Sequence, residues 1–356
     1  MKMKQNFLLG AMALAGLLAS CSQTEMEEAA NVPRKGNEVT VTVAPSADFT
    51  QPRARVESNQ QLRYIAELWE EDKTTNPANP TTKKLIARTE QVGANANKFI
   101  FDVEQQGDYV ILFWADYIAA GGSTSDKTIT GGSGENTFSV SFQGYPDKEF
   151  TTNGSRASKE GLQGVEIKTL SNKEEFYNGT LEAFCSKVAF TKKNDIVSLD
   201  QVTLKRPLCK YILKEKTADL SGISKVNIKT IRYYYQYNVY KEKTTDFGQY
   251  DGGGIGSKAI NILNSSEKQL FSFYSFAGKS EGTLSTYTMK FNFTANDNGK
   301  KYTDAQIASS KIPCRANYIY TLSGSFVQED LTGTTVNVDV TCDEGGWTDG
   351  SKDLNN

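Results

Sequence analysis

From Asp108 to Tyr117 the chain reads Asp-Tyr-Val-Ile-Leu-Phe-Trp-Ala-Asp-Tyr, its strongest apolar run outside the N-terminal leader. The run is short, bounded by polar residues, and rich in β-branched and aromatic side chains. These features predict a central strand packed on both faces. Around it lie segments that alternate instead. Asn37 to Val43 sets Val39, Val41 and Val43 against Glu38, Thr40 and Thr42, the period of a half-buried strand, and Pro45 ends it. Phe138 to Phe142 alternates cleanly, as does Lys225 to Tyr240 through Val226, Ile228, Ile231, Tyr233, Tyr235 and Tyr237.

Further strands are expected over Gln61–Trp69, Leu85–Thr89, Lys98–Val103, Phe184–Thr191, Ile260–Leu263, Leu270–Phe276, Tyr287–Phe293, Ala316–Leu322 and Thr335–Val340. Residues 73–82, with Pro77 and Pro80, read as a loop, and so does the Gly/Ser/Thr-rich stretch Ala119–Asn136. Asn296-Asp297-Asn298-Gly299 supplies a hairpin turn into Lys301-Tyr302. Helical signals are scarce: Ser171 to Phe176, with Ser171 as cap and Glu174 three residues on, is the one expected helix. A strand pair broken at Pro207 opens a second unit. The expectation is an all-β chain with little helix: two β-sandwiches in series, over 37–198 and 199–356.

The N-terminus has its own logic. Lys2 and Lys4 precede an apolar run from Phe7 to Ala19, too short to span a bilayer as a mature helix, so residues 1–20 read as a signal peptide. Leu18-Ala19-Ser20-Cys21 matches the bacterial lipobox, which makes Cys21 a candidate for lipidation and anchorage in the outer membrane. Residues 21–36 form an acidic tether. Glu25, Glu27 and Glu28, with no base among them, resemble the signal that sends lipoproteins of Bacteroidales to the cell surface. Beyond Pro45 comes Pro52-Arg53-Ala54-Arg55, an arginine site between the Val39-Val41-Val43 strand and everything downstream.

Several chemistries are poorly served. The chain has no histidine, which removes the usual general base and most zinc sites. A formal net charge of −2 offers no concentrated basic face for nucleic acid. Gly252 to Lys258 lacks the order of a phosphate loop, and Asn296 to Gly299 with Asp304 lacks a full calcium loop. Glu174 and Glu175 would point apart on a helix. Tyr233, Tyr234, Tyr235, Tyr237 and Tyr240 suggest either a sugar-stacking face or a core, and the one-face spacing of Tyr233, Tyr235 and Tyr237 favours core or subunit contact. No catalytic residue, metal ligand or cofactor is expected. With Cys21 set aside, Cys185, Cys209, Cys314 and Cys342 can make two disulfides in three ways or remain buried thiols, and the sequence leaves the choice open.

Taken in order, these features resemble a known group: lipobox, Val-x-Val-x-Val strand, Arg-Ala site, Trp114-Ala115-Asp116-Tyr117, Leu204-Lys205-Arg206-Pro207-Leu208, Asn317-Tyr318-Ile319-Tyr320-Thr321-Leu322 and a final strand near Trp347. The chain is similar to the fimbrillin-like lipoproteins of Bacteroidales, relatives of the type V pilins, and among them to Bacteroides domains of uncharacterised function. The resemblance implies two tandem transthyretin-like β-sandwiches and a non-enzymatic fimbrial (pilus) subunit or anchor at the cell surface, supporting adhesion. It also implies cleavage by an arginine-specific protease, at Arg53-Ala54 or at Arg55-Val56. Loss of the Val39-Val41-Val43 strand would then admit a strand from another pilin subunit. The other reading is a monomeric surface lipoprotein that binds a glycan or host surface through the tyrosine strand or the Gly121–Gly134 loop.

Overall fold

The computed structural model describes residues 36–45, 59–74, 76, 78, 80–93, 96–156, 159–168, 181–251, 258–280, 282–283, 288–295, 301–308, 312–327, 334–344 and 352–353. The described chain is all-β, with only two short 3-10 turns, at Gly134–Asn136 and Gly161–Gly164. Its first seven strands are β1 (Glu38–Pro45), β2 (Gln60–Asp72), β3 (Thr81–Val92), β4 (Lys98–Asp102), β5 (Gly107–Ala119), β6 (Ser125–Gly131) and β7 (Phe138–Gly144). The expected helix at 171–176 lies outside the described residues.

The Asp108–Tyr117 run is the middle of β5, which sits inside a four-stranded antiparallel sheet. β2 pairs along one edge of β5, the strand Ala183–Lys192 along the other, and β3 pairs with β2. From Tyr109 to Ala115 no residue is more than 4% exposed. Alternation divides the burial. Tyr109, Ile111, Phe113 and Ala115 join one apolar cluster, whereas Val110, Leu112 and Trp114 join another. A continuous apolar run is what a strand needs when both faces meet a core.

On the first face lies a second four-stranded sheet, built on β1. β4 pairs with it antiparallel, and the short strands Val197–Ser198 and Val202–Leu204 pair with it parallel. The two sheets enclose Val39, Val41, Val43, Phe99, Phe101 and Leu204 against Tyr64, Ala66, Leu68, Phe113 and Phe184. The chain leaves this sheet after Leu204, at Lys205-Arg206-Pro207. There Arg206 is held by Glu182 at 2.9 Å and by the Asn317 side chain at 2.7 Å.

On the second face the core runs on into the C-terminal part of the chain. Trp114 meets Phe150 edge-on with ring centres 5.2 Å apart, and Phe276 at 6.2 Å. Two sheets build that region. A five-stranded sheet joins Gln269–Phe276, Leu208–Glu215, Tyr318–Gly324, Asp339–Glu344 and Lys352–Asp353. An eight-stranded sheet centres on the 16-residue strand Ile223–Asn238. That sheet also takes in Phe150–Thr151 and Val165–Ile167, the latter pairing with Gln236 and Tyr237.

Two loop and strand expectations need correction. Residues 125–131 within the stretch read as a loop are β6, which pairs along its whole length with β7. Its Thr128, Ile129 and Thr130 are good strand formers, and the glycines that suggested a loop flank them. The last expected strand, Thr335–Val340, is displaced: Thr334–Thr335 and Asp339–Glu344 pair with different sheets. The hairpin strands on either side of 296–300 do pair, Phe293 with Tyr302 and Thr294 with Lys301, although the turn itself lies outside the described residues.

Candidate functional site

β1 is eight residues long and is joined to β2 by a segment that carries the Pro52-Arg53-Ala54-Arg55 motif. Cys21, Arg53 and Arg55 lie outside the described residues. The third expected feature, the Val39-Val41-Val43 face, can be placed in full.

These three valines have no exposed surface. Across β4, Val39 faces Phe101 and Val41 faces Phe99. On the other side Val39 pairs with Val197 and Val43 with Val202, in parallel register. Main-chain bonds close both flanks: Val43 donates to Asn97 at 2.9 Å, Leu199 donates to Thr40 at 2.9 Å, and Val103 donates to Asn37 at 2.9 Å. The Asn97 amide also reaches back to the Val43 carbonyl at 2.9 Å. β1 is therefore an interior strand, although its sequence position near the start would suit an edge. Each valine withdrawn from such a site forfeits about 1.5–3 kcal/mol of apolar burial, and the neighbouring strands lose their ladder partners along both sides.

Chain separation explains why a sequence reading finds the strand and misses its setting. Period-two alternation marks Val39, Val41 and Val43 as one face. The parallel partners at 197–204 lie more than 150 positions away and carry no local signal.

Behind β2 and β5 stands a second constellation that alternation could have flagged. Arg63, Glu67 and Glu71 fall at even spacing on the β2 face turned away from β1, beside Ile65 and Trp69. Arg63 binds Asp116 at 2.8 Å, Asp147 at 2.9 Å and Glu90 at 3.4 Å. Arg88 binds Glu67 and Glu90, each at 2.6 Å, and donates to the carbonyl and hydroxyl of Thr152, each at 2.8 Å. Glu67 also accepts from the Trp69 indole and from the Leu162 amide, each at 3.0 Å. Burial alone would lower the Arg63 guanidinium, but Asp116, Asp147 and Glu90 outweigh it and hold it above its ordinary value. Burial pushes Asp116 and Glu67 above the usual carboxylate range, against the pull of their arginines. The cluster ties Tyr145, Asp147, Thr152 and Leu162 to the back of the sheet. With Arg63, Arg88, Glu67, Glu90 and Asp116 closed to solvent and paired among themselves, it is a structural fastening.

The tyrosine strand is largely core. Tyr233 and Tyr237 are buried, Tyr235 packs partly against the same cluster, and Tyr240 donates to Glu71 at 2.9 Å and to the Pro80 carbonyl. Tyr233 and Tyr237 therefore offer no open stacking surface. Cys185, Cys209, Cys314 and Cys342 are all buried thiols.

The chain belongs to a family of unknown function (DUF6562), whose model matches residues 31–130 and 159–353. None of the curated proteins compared matches it. Similar solved structures include the fimbrial anchor protein Mfa2 from Porphyromonas gingivalis, at 11% identity and a TM-score of 0.41, covering 88% of this chain and 97% of that one. The tip fimbrial protein Mfa3 from the same organism, with a C-terminal truncation, is 12% identical with a TM-score of 0.41, covering 86% and 100%. A fimbrial assembly protein from Parabacteroides distasonis is 8% identical with a TM-score of 0.35, covering 87% and 95%. At such values the likeness carries no function from those proteins to this one.

Proposed function

We propose that this member of the DUF6562 family is a non-enzymatic surface lipoprotein: a fimbrial subunit or anchor that assembles by strand exchange and supports adhesion. In this reading Cys21 takes the lipid that holds the chain to the outer membrane, and Arg53, or else Arg55, is the processing point. The chain divides into a tether, an N-terminal sandwich from residue 37 and a C-terminal sandwich from about residue 199.

One observation carries the reading. β1 is short and precedes the arginine site in sequence, yet it occupies the interior of a sheet with Val39, Val41 and Val43 fully covered. A cut after Arg53 would separate this strand covalently from the sandwich it completes. Its departure would leave a slot between β4 and the strands at 197–204, flanked on both sides. Such a slot has unpaired N–H and C=O groups along each wall and apolar pockets at every second position. A strand with alternating small β-branched residues fills it and restores both sets of contacts. The lipobox motif and the order of sequence motifs support the same reading.

The test is the N-terminal residue of the mature protein on its native cell surface, by intact mass and end-sequencing. A start at Ala54 or Val56, in material that runs as a ladder in SDS, is the expected result. An acylated Cys21 start in the assembled, surface-exposed form would overturn clipped-strand assembly and leave an anchor or a glycan-binding lipoprotein.

A further inference from the structure

We propose that Cys209 and Cys314 are the pair that closes a disulfide when this chain folds under oxidising conditions, while Cys185 and Cys342 stay thiols. The two are 105 positions apart, yet their sulfurs stand 3.7 Å from each other in the C-terminal core. Cys209 is fully buried and Cys314 is 3% exposed.

The surrounding backbone is pinned on both sides. The Tyr211 hydroxyl donates to the Pro313 carbonyl at 2.9 Å, beside Cys314. Asn317 donates to the Leu208 carbonyl at 2.8 Å, beside Cys209, and Ala277 donates to Pro207 at 2.9 Å. Both sulfurs also lie 3.6 Å from carbonyls of one strand, Cys209 at Ser275 and Cys314 at Phe276. Sulfurs already in contact need to approach by only about 1.7 Å to reach bonding distance.

The other two cysteines are placed differently. Cys185 is a buried thiol on the strand Ala183–Lys192, opposite Trp114 of β5. Cys342 lies in the cross-strand row Tyr211–Tyr320–Cys342, two strands over from Tyr211. Two strand spacings amount to about 10 Å, beyond the span a disulfide bridges from the Cys209 strand.

The oxidant is a small or protein disulfide, such as oxidised glutathione. While the core is still open, the thiolate of one of the two cysteines attacks one of its sulfurs and expels a thiolate. The other cysteine then loses its proton and attacks the mixed disulfide at the protein sulfur, releasing the second thiol. Two protein thiols are oxidised, and one disulfide is reduced to two thiols.

The experiment refolds the reduced full chain in a glutathione redox buffer and isolates the monomer by gel filtration. The product is quenched in acid, unfolded, alkylated with N-ethylmaleimide and mapped by mass spectrometry. The expected result is a linked Cys209–Cys314 peptide, lighter by two hydrogens than its reduced form, with Cys185 and Cys342 alkylated. The Cys185→Ser/Cys342→Ser variant keeps the link, and Cys314→Ser frees Cys209 for alkylation. Alkylation of both Cys209 and Cys314 in the refolded monomer, or a link from either to another cysteine, overturns the proposal.

Discussion

Arg63 on β2 and Asp116 on β5 stand directly opposite each other, and the guanidinium grips the carboxylate twice, Nε to Oδ1 at 2.9 Å and Nη2 to Oδ2 at 2.8 Å, with neither side chain exposed. Such a pair contributes modest net stability while intact, but removing one partner strands the other charge in the core. Arg63→Met is expected to cost about 3–5 kcal/mol. Arg63→Met with Asp116→Leu is expected to recover part of that loss, because the fully buried Asp116 carboxylate is no longer left without its partner, while Asp147 and Glu90 still lose Arg63. Urea unfolding of the two variants checks the order, and a double variant less stable than the single one would contradict it.

Gly161 is fixed by the same fastening. It adopts φ +57°, and a Cβ there would stand 2.3 Å from Glu67 Oε1. Glu67 cannot retreat without giving up Arg88, Trp69 and the Leu162 amide. Gly161→Ala combines a left-handed backbone with a clash against a buried carboxylate, so a loss of about 2–4 kcal/mol is expected. At Gly222 a Cβ would meet nothing within 4 Å. Gly222→Ala is expected to stay within about 0.5 kcal/mol. Thermal melts of the two variants make the comparison.

Val41 and Thr42 separate the two faces of β1. Val41 has no exposed surface, whereas Thr42 is partly exposed and lies opposite Lys98. Val41→Asp places an unpaired charge between the sheets and is expected to abolish the packing of the two sheets around β1. Thr42→Asp sets opposite charges across β1 and β4 and is expected to be near neutral. Circular dichroism and limited proteolysis read the contrast, and equal effects at the two positions would mean that β1 lies in another register.

Burial pushes the Cys185 thiol up to about 12. Its ordinary value is about 8.5. A folded value above the unfolded one means that the neutral thiol's contribution is whole below about pH 8.5 and is lost as pH rises toward 12. The stability gap between the wild type and Cys185→Ala is therefore expected to shrink between pH 8.5 and 11. In the native state at pH 8, iodoacetamide is expected to leave Cys185 unmodified until urea opens the core.

Much of the architecture is legible in local pattern. The Asp108–Tyr117 run announces a strand with a core on each side, and β5 has both. Pro207 announces a break, and the strands Val202–Leu204 and Leu208–Glu215 belong to different sheets. The tyrosines at 233, 235 and 237 read as core or subunit contact, and Tyr233 and Tyr237 are buried whereas Tyr235 is only partly so. The β6 strand was hidden by its flanking glycines. The ionic fastening shares its β2 face with Ile65 and Trp69, but Arg63, Glu67 and Arg88 look like solvent-facing charges until Thr152 and Leu162 are known to cover them.

The sequence alone determined what depends on nearest neighbours along the chain: the all-β class, the inward face of Val39, Val41 and Val43, and the absence of histidine chemistry. Side-chain alternation and composition are local quantities, so they can be read without a fold. Only the tertiary structure decided that β1 is an interior strand with parallel partners at 197–204, that Arg63 meets Asp116, and that Cys209 rather than Cys185 or Cys342 touches Cys314. Each of these joins residues more than 50 positions apart. Such pairings are chosen by how whole sheets cover one another's apolar faces, and no window of the sequence contains both partners.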